Sequence, residues 1–232
     1  MTRMESRKWY ATPLVICVAA LGMAAPAAGQ TETGQGMWMN LSAQGGGSAG
    51  STWRWSSDSM VRTRDGAGTL DFLGEQVTVT RDMTPRASTG AGYGYYVGFV
   101  DAGVLHEHRF FQQYGWSGGT GLRVALRGRI EERFVTELDG MRLRARPQLR
   151  VTWPLAATGR LRGVVSDELF VQVHAAGPSV LGFDNNRLFV GIARRLTPRD
   201  AVEIGYLNVY SRVGSTGYAR THVISVIAVV GL

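Results

Sequence analysis

Arginines recur at spacings of two or four residues in two stretches of the chain, with apolar residues between them. They are Arg123, Arg127, Arg129 and Arg133 in residues 122–133, and Arg142, Arg144, Arg146 and Arg150 in residues 141–153. A guanidinium group holds a carboxylate or a phosphate through paired N–H donors. The chemistry that these residues favour is therefore ion pairing with carboxylates of the chain or the binding of small anions.

The alternation predicts how these arginines are positioned. Successive side chains of a β-strand point to opposite faces, so a period of two gives one apolar face and one charged face. A soluble sheet seldom carries four arginines on one face of a strand and repeats the arrangement in the neighbouring stretch. Lipid outside and a wet, charged lumen inside would explain both stretches. The sequence therefore predicts an all-β, antiparallel transmembrane β-barrel.

The same alternation assigns sixteen side chains to the predicted lumen, and arginine outnumbers carboxylate among them. They are Arg109, Arg123, Arg127, Arg129, Glu131, Arg133, Arg142, Arg144, Arg146, Gln148, Arg150, Arg160, Arg162, Glu168, Arg187 and Glu203. Two hypotheses stay open for a narrow barrel. Arg–Glu pairs could fill the bore of a structural barrel, or unpaired arginines could line a narrow channel for small anionic solutes.

The histidines raise a third hypothesis, an outer-membrane hydrolase that acts on lipid or ester substrates. All four fall near predicted external strand ends: His106, His108, His174 and His222. His174 is predicted to point inward and the other three outward. His222 and Ser225 lie three residues apart and therefore point to opposite faces, which rules out a direct hydrogen bond. The hydrolase stays an alternative, and we predict no catalytic residue, no metal and no cofactor.

Eleven strands can be assigned from the alternation and the turn residues, and no helix is evident. They are residues 37–43, 52–62, 70–81, 89–99, 106–116, 120–133, 141–153, 160–174, 187–196, 201–211 and 220–232. Most reach the ~9–11 residues that a tilted membrane strand needs. Bacterial barrels have an even number of strands, so we expect twelve, with one missed near the N-terminus. Ten is the alternative if residues 37–43 are not a full strand.

An even strand number would place both chain ends in the periplasm. Trp53, Trp55, Trp116 and Trp153 then fall at periplasmic strand ends, which predicts an aromatic girdle at that membrane interface. Two carboxylates, Glu75 and Asp167, fall on the apolar side of their strands. A β-bulge that turns each of them to the other face is the simpler explanation.

The N-terminus has the pattern of a secretory signal peptide. Arg3, Arg7 and Lys8 precede an apolar run at residues 11–23, and small residues follow before Gly29. The apolar run is shorter than the ~20 residues of a spanning helix. We therefore expect residues 1–29 to be removed and residues 30–232 to form one barrel in the outer membrane of a Gram-negative bacterium. Cys17, the single cysteine, would leave with the signal peptide.

The charge pattern indicates which partners to expect. The formal net charge is +7 and the pI is about 10.1, yet the arginines are threaded singly along strands rather than clustered as in a nucleic-acid-binding surface. We therefore expect no nucleic acid partner. The expected partners are the lipid bilayer, the barrel-assembly machinery and, for a channel, small anionic solutes.

Six segments, taken in order, resemble a known family. They are HEHRFFQQ (106–113), RGRIEERF (127–134), RLRARPQLRVTWPL (142–155), VSDELFV (165–171), FDNNRLFVGI (183–192) and VEIGYLNVY (202–210). The family is proteobacterial, carries signal peptides, is known as a domain of unknown function and is regarded as outer-membrane β-barrels. The resemblance covers nearly all of the chain after the signal peptide. It implies a fold and a location but no activity.

Overall fold

The computed structural model describes residues 31–46, 50–101, 103–136, 138–177 and 179–232. These residues form eleven β-strands. Their bounds are β1 Thr31–Gly46, β2 Trp53–Arg64, β3 Thr69–Asp82, β4 Ala87–Val100, β5 Gly103–Gly118, β6 Arg123–Val135, β7 Arg142–Pro154, β8 Leu161–His174, β9 Gly182–Arg195, β10 Ala201–Val213 and β11 Gly217–Gly231. The described residues include no helix of the length and apolarity needed to cross a membrane. The predicted signal peptide, residues 1–29, lies outside the described residues.

The strands close into one barrel. Strands adjacent in sequence pair antiparallel, and β1 closes the wall by pairing in parallel with β11. The all-β barrel prediction is confirmed, whereas the count of twelve strands, with ten as the alternative, is wrong. The prediction of an even strand number assumed that the first and last strands pair antiparallel. A parallel ladder, with its evenly spaced hydrogen bonds, also joins the two edge strands of a sheet. With eleven strands, the first and last run in the same direction.

The parallel closure defines the two rims of the barrel. β1 and β11 begin at one, called here the N-terminal rim, and end at the other, the C-terminal rim. The expectation that both chain ends lie on one side is wrong for the barrel, because Thr31 and Leu232 lie at opposite rims. β1 also begins six residues before the predicted strand. Residues 31–36 read TETGQG and carry no apolar alternation by which to recognise a strand.

The wall separates two kinds of side chain. In β6, Leu126 and Ile130 are 49% and 46% exposed, whereas Arg129 and Glu131 are 5% and 0% exposed. The same alternation continues around the barrel, and large apolar side chains are exposed on its outer face. Examples are Met39, Leu41, Leu73, Val77, Phe110, Val190, Ile192, Ile204 and Ile224. The outer face is therefore largely apolar, and the interior holds the charges.

Aromatic rings inside the barrel pack against glycines. Gly191 and Gly205 pair directly across β9 and β10. A Cβ atom at either position would lie 2.5–2.6 Å from Cζ of Phe189, so the ring can lie on the wall only because both residues lack a side chain. Phe189 belongs to an apolar cluster on the inner face of β8–β11. The cluster consists of Val164, Phe189, Leu207, Val209 and Val223, and Trp38 packs against it.

The parallel closure can be tested with a disulfide. Leu41 and Ala228 are paired on the outer face of β1 and β11, and the chain after residue 29 contains no cysteine. Because paired Cα atoms lie within the ~4–7 Å that a disulfide spans, Leu41→Cys with Ala228→Cys is expected to cross-link on oxidation. Leu41→Cys with Ile224→Cys, about 13 Å out of register, should not. Non-reducing electrophoresis measures both, and equal yields would contradict the parallel register.

A turn at the C-terminal rim fastens the end of β11. The Asp200 carboxylate accepts a hydrogen bond from the Thr197 hydroxyl at 2.7 Å and another from the backbone N–H of Gly231 at 3.1 Å. The N–H of Leu232 donates to the carbonyl of Gln44 in β1 at 2.8 Å. The chain end is therefore bound both to this turn and to the closing strand.

This attachment is expected to depend on pH. The hydrogen bonds from Thr197 and Gly231 lower the pKa of Asp200 from its ordinary value of 3.8. Their stabilising effect is therefore complete above that value and is lost as the pH falls through the lowered pKa. At neutral pH, Asp200→Ala should reduce the hydrogen-exchange protection factor of the Gly231 amide. The difference from wild type should disappear in strong acid, and a difference that persists there would contradict the role of the carboxylate.

Candidate functional site in the barrel lumen

Glu131 lies at the centre of an ion-pair network inside the barrel. Its side chain is fully buried, and it accepts hydrogen bonds from Nε and Nη2 of Arg144 at 3.0 and 2.7 Å. Arg146 donates to the other carboxylate oxygen, and Arg129 lies 3.7 Å from it. A buried carboxylate is costly unless it is paired and hydrogen-bonded. Three guanidinium groups meet that requirement for Glu131.

Arg146 connects Glu131 to a second buried carboxylate. Its Nε and Nη2 atoms donate to Glu168 at 3.1 and 2.9 Å, while Nη1 binds Glu131. Arg127 donates to the same Glu168 oxygen at 2.6 Å. Arg144 in turn reaches Asp184 at 2.9 Å. These bonds join β6, β7, β8 and β9 on the inside of the barrel.

Two further glutamates extend the network. Glu107 pairs with Arg109 through bonds of 2.9 and 2.8 Å and also with Arg133. Glu203 pairs with Arg150, which reaches across the lumen from β7 to β10. Each of the inward glutamates that the sequence predicts is therefore paired with arginine. These ion pairs involve side chains of β5–β10 inside the barrel.

Three cavities follow one another through the lumen, and β1 and β2 contribute to the lining of all three. A cavity of about 440 Å³ at the N-terminal rim reaches residues 34–38 of β1. A central cavity of about 290 Å³ reaches residues 38–40, and one of about 680 Å³ at the C-terminal rim reaches residues 44–46. Neighbouring cavities share lining residues. The cavities therefore form a series that runs from rim to rim.

The central cavity is rich in positive charge. Its lining contains seven arginines but only three carboxylates, Asp58, Glu168 and Glu203. Asp58 and Arg127 also line the C-terminal-rim cavity, while Arg62 and Arg187 also line the N-terminal-rim cavity. A water-filled cleft lined by one sign of charge concentrates ions of the other sign. The cavity is therefore suited to small anions.

A family model described as "Protein of unknown function (DUF2490)" matches residues 35–219. The chain belongs to the DUF2490 family. The match begins in β1 and ends in β11, so it spans the barrel wall, and the resemblance inferred from the sequence is confirmed. The chain is also 30% identical over 216 residues to an uncharacterized protein of Methylorubrum extorquens strain AM1, and the alignment covers 90% of this chain and 92% of that protein. No solved structure matches the chain.

Most of the predicted lumen residues lie inside this DUF2490 barrel. Arg142 is buried, as are Arg129, Arg144 and Arg146 of the network, and Gln148 lines the central cavity. Arg162 is half-buried and donates to the carbonyl oxygens of Gly121 and Thr152. Two residues lie elsewhere: Arg123 and Arg160 are exposed at the C-terminal rim, and Arg160 precedes the first residue of β8.

Sequence reasoning missed Trp38 and Arg62, which line the same cavities as Arg187. The alternation of side chains predicts an inward direction for both. Trp38 shares a face of its strand with Asn40, and Arg62 shares one with Asp58. Arg62 is the last residue of a predicted strand, where side-chain direction is hardest to judge. The residue type of Trp38 does not indicate a lumen position, because tryptophan is common at membrane interfaces.

The four tryptophans predicted to form a girdle all lie on the outer face next to the C-terminal rim. Trp53 is 52% exposed, and Trp116 and Trp153 are half-buried. Trp55 and Trp153 lie over Gly45 and Gly163, their partners in the neighbouring strands. The glycines leave room for the indole rings to lie along the wall.

Three histidines lie on the outer face and bond to tyrosines through Nδ1. The pairs are Tyr93–His108 and Tyr95–His106, both at 2.7 Å, and Tyr206–His222 at 2.5 Å. His174 is exposed at the end of β8. Across the described ranges, no three His, Cys, Asp or Glu side chains are grouped so as to hold a metal ion. The structure does not bring the four histidines to one site.

Glu75 and Asp167 remain on the outer face, and the predicted bulges that would turn them inward are wrong. The register shifts in these ladders lie elsewhere, at Arg62/Thr63 in β2, Leu143/Arg144 in β7 and Phe170/Val171 in β8. Neighbouring donors satisfy the carboxylates instead. Ser57 and Ser59 each donate to Glu75 at 2.5 Å, and Asn186 donates to Asp167 at 2.6 Å.

Proposed function

We propose that this DUF2490 protein is an outer-membrane β-barrel whose lumen provides a narrow path for small anions. The observation that carries the proposal is the series of three cavities, whose central member is lined by seven arginines and three carboxylates. An anion that enters from either rim meets positive charge along the whole path. A cation meets a repulsive field at the centre.

The membrane location is supported by the outer face. Large apolar side chains such as Leu126, Ile130 and Ile224 are about half exposed, which would be costly in water. The strands contain 12–16 residues, enough to cross the apolar part of a bilayer when tilted. Tryptophans at one rim fit an interfacial girdle. The predicted signal peptide provides the route of export.

Most arginines of the lumen are fixed by carboxylates. Arg144 and Arg146 are held by Glu131 and Glu168, and five of the seven arginines that line the central cavity form ion pairs. The other two, Arg62 and Arg187, form none with the described residues. The structural-barrel and channel hypotheses therefore describe one lumen, in which paired arginines fill part of the bore and also border the cavities that leave a path.

Planar-bilayer recording of the refolded protein tests the function. Under a KCl gradient, we expect small single-channel currents. Their reversal potential should be shifted from zero towards the equilibrium potential of chloride. Replacing chloride with a bulky organic anion should abolish the current, since the central cavity holds only about 290 Å³. Heat-modifiable migration in gels shows that the protein is folded. Absence of current, or cation selectivity, from folded protein would contradict the proposal.

A further inference from the structure

A row of alternating rings and guanidinium groups crosses the lumen where the central cavity meets the N-terminal-rim cavity. Cζ of Arg62 lies 4.0 Å from the centre of the Trp38 ring and 4.3 Å from that of Phe72. Cζ of Arg187 lies 4.9 Å from the centre of Trp38 and 4.2 Å from that of Phe170. The order is therefore Phe72, Arg62, Trp38, Arg187 and Phe170. Strands β3, β2, β1, β9 and β8 supply one member each.

The two arginines of this row differ from the arginines of the network. Within the residues that the structure describes, neither Arg62 nor Arg187 lies within 4 Å of a carboxylate, and neither has a hydrogen-bond acceptor. Nε of Arg187 is buried and has no partner in the described part of the chain. Guanidinium groups are planar and carry five N–H donors at their edges. Stacking on rings covers the faces and leaves these donors free.

The surroundings favour an anion at this position. Two positive charges share one indole ring, and like charges held close together repel each other. Glu168, the cross-strand neighbour of Arg187, is paired with Arg127 and Arg146 instead. Asp71, which lines the N-terminal-rim cavity, forms no ion pair with either arginine of the row. A ligand with two or three oxygen atoms could accept bonds from both guanidinium edges and relieve the repulsion. Trp38, packed against the apolar cluster, fixes the geometry.

We infer that Arg62 and Arg187, held by Trp38, form a binding site for the oxyanion group of a small phosphate or carboxylate. The site lies where two cavities meet, so it acts as the selective step of the proposed anion path, on which this inference rests. The central cavity of about 290 Å³ limits the ligand to a small molecule. The site holds the ligand through charge-assisted hydrogen bonds, and the rings orient the donors.

Calorimetric titration of the full barrel in detergent with inorganic phosphate, and separately with succinate, tests the site. At least one of them is expected to bind. The double variant Arg62→Gln/Arg187→Gln should raise its Kd at least about tenfold, because bonds to charged groups are lost. The matched control is Arg194→Gln, an exposed arginine on the outer face of β9, which should bind as wild type does.

Two further measurements keep the inference independent of folding defects. Because neither Arg62 nor Arg187 has a carboxylate partner, the double variant leaves no unpaired carboxylate behind and should unfold at the same denaturant concentration as wild type, or a higher one. Binding should also change the tryptophan emission of wild type. Trp38→Phe keeps a ring between the arginines, so it should still bind by calorimetry but lose that emission change.

The outcomes separate this inference from the proposed function. If the barrel conducts anions but the double variant has an unchanged Kd and reversal potential, the site is wrong and the path remains. If binding is lost in the double variant and no current flows in wild type, the site is supported and the path is wrong. If folded wild type binds neither phosphate nor succinate at millimolar concentration, the inference is overturned.

Discussion

Glu131→Ala is expected to lower the free energy of unfolding by about 3–5 kcal/mol. Glu131 is fully buried, and its carboxylate is the shared partner of Arg144 and Arg146, with Arg129 nearby. Arg146 would keep Glu168, and Arg144 would keep Asp184, yet the three guanidinium groups would lose the carboxylate that they share. The guanidinium groups would then repel each other where water is excluded.

Denaturant unfolding in detergent micelles, followed by tryptophan fluorescence, measures this loss. The next residue offers a matched control. Glu132 is exposed on the outer face of the same strand, and no ion pair involves it within the described ranges. Glu132→Ala should therefore change the stability by less than about 1 kcal/mol. If the two alanine variants lost equal stability, Glu131 would not be the centre of the network.

Phe170→Ala is expected to lower the free energy of unfolding by about 3–5 kcal/mol as well. Its ring is fully buried, and three guanidinium groups lie over it, with Cζ of Arg187, Arg146 and Arg144 at 4.2, 4.4 and 4.9 Å from its centre. Truncation would open a cavity and remove the ring against which these cations stack. Phe170→Leu keeps most of the volume but no π-face, so its loss should be intermediate.

The same unfolding measurement distinguishes this effect from a general need for aromatic residues. Phe110 is 51% exposed on the outer face and packs against Tyr93 and Phe134. Detergent or lipid chains can fill the space that Phe110→Ala leaves, so its loss should be smaller. A Phe170→Ala variant no less stable than Phe110→Ala would show that the stacked ring does not support the lumen.

The sequence predicted the direction of side chains better than their partners. A period of two is a local property, so it placed Arg142, Arg144 and Arg146 on the inner face. The partners of these side chains depend on the width of the barrel and on the register of distant strands. Glu203 pairs with Arg150, which lies 53 residues away in the sequence. A local pattern cannot predict a contact between residues so far apart. The Trp38–Arg187 contact likewise requires the closure of β1 onto β11.

The predicted strand number was wrong for a different physical reason. An even strand number is typical of other bacterial barrels, whereas the first strand of this chain has no apolar alternation in residues 31–36. Backbone pairing with β11, rather than side-chain pattern, makes this segment a strand. Glu75 and Asp167 show a related limit. The alternation placed them outward, and the hydroxyl and amide donors that satisfy them are visible only once neighbouring strands are in register.

Collision accessibility of single spin labels tests most directly whether the wall separates lipid from a water-accessible lumen. The labels are attached to single cysteines at two pairs of adjacent positions, Asn40 and Leu41 in β1 and Gln148 and Leu149 in β7. Asn40 and Gln148 line the central cavity, and their neighbours lie on the outer face. In reconstituted vesicles, labels at Leu41 and Leu149 should collide mainly with oxygen dissolved in lipid. Labels at Asn40 and Gln148 should be protected from it and reached by a water-soluble nickel chelate. Equal access of the chelate to both faces, or the reverse pattern, would contradict a membrane barrel with an arginine-lined lumen.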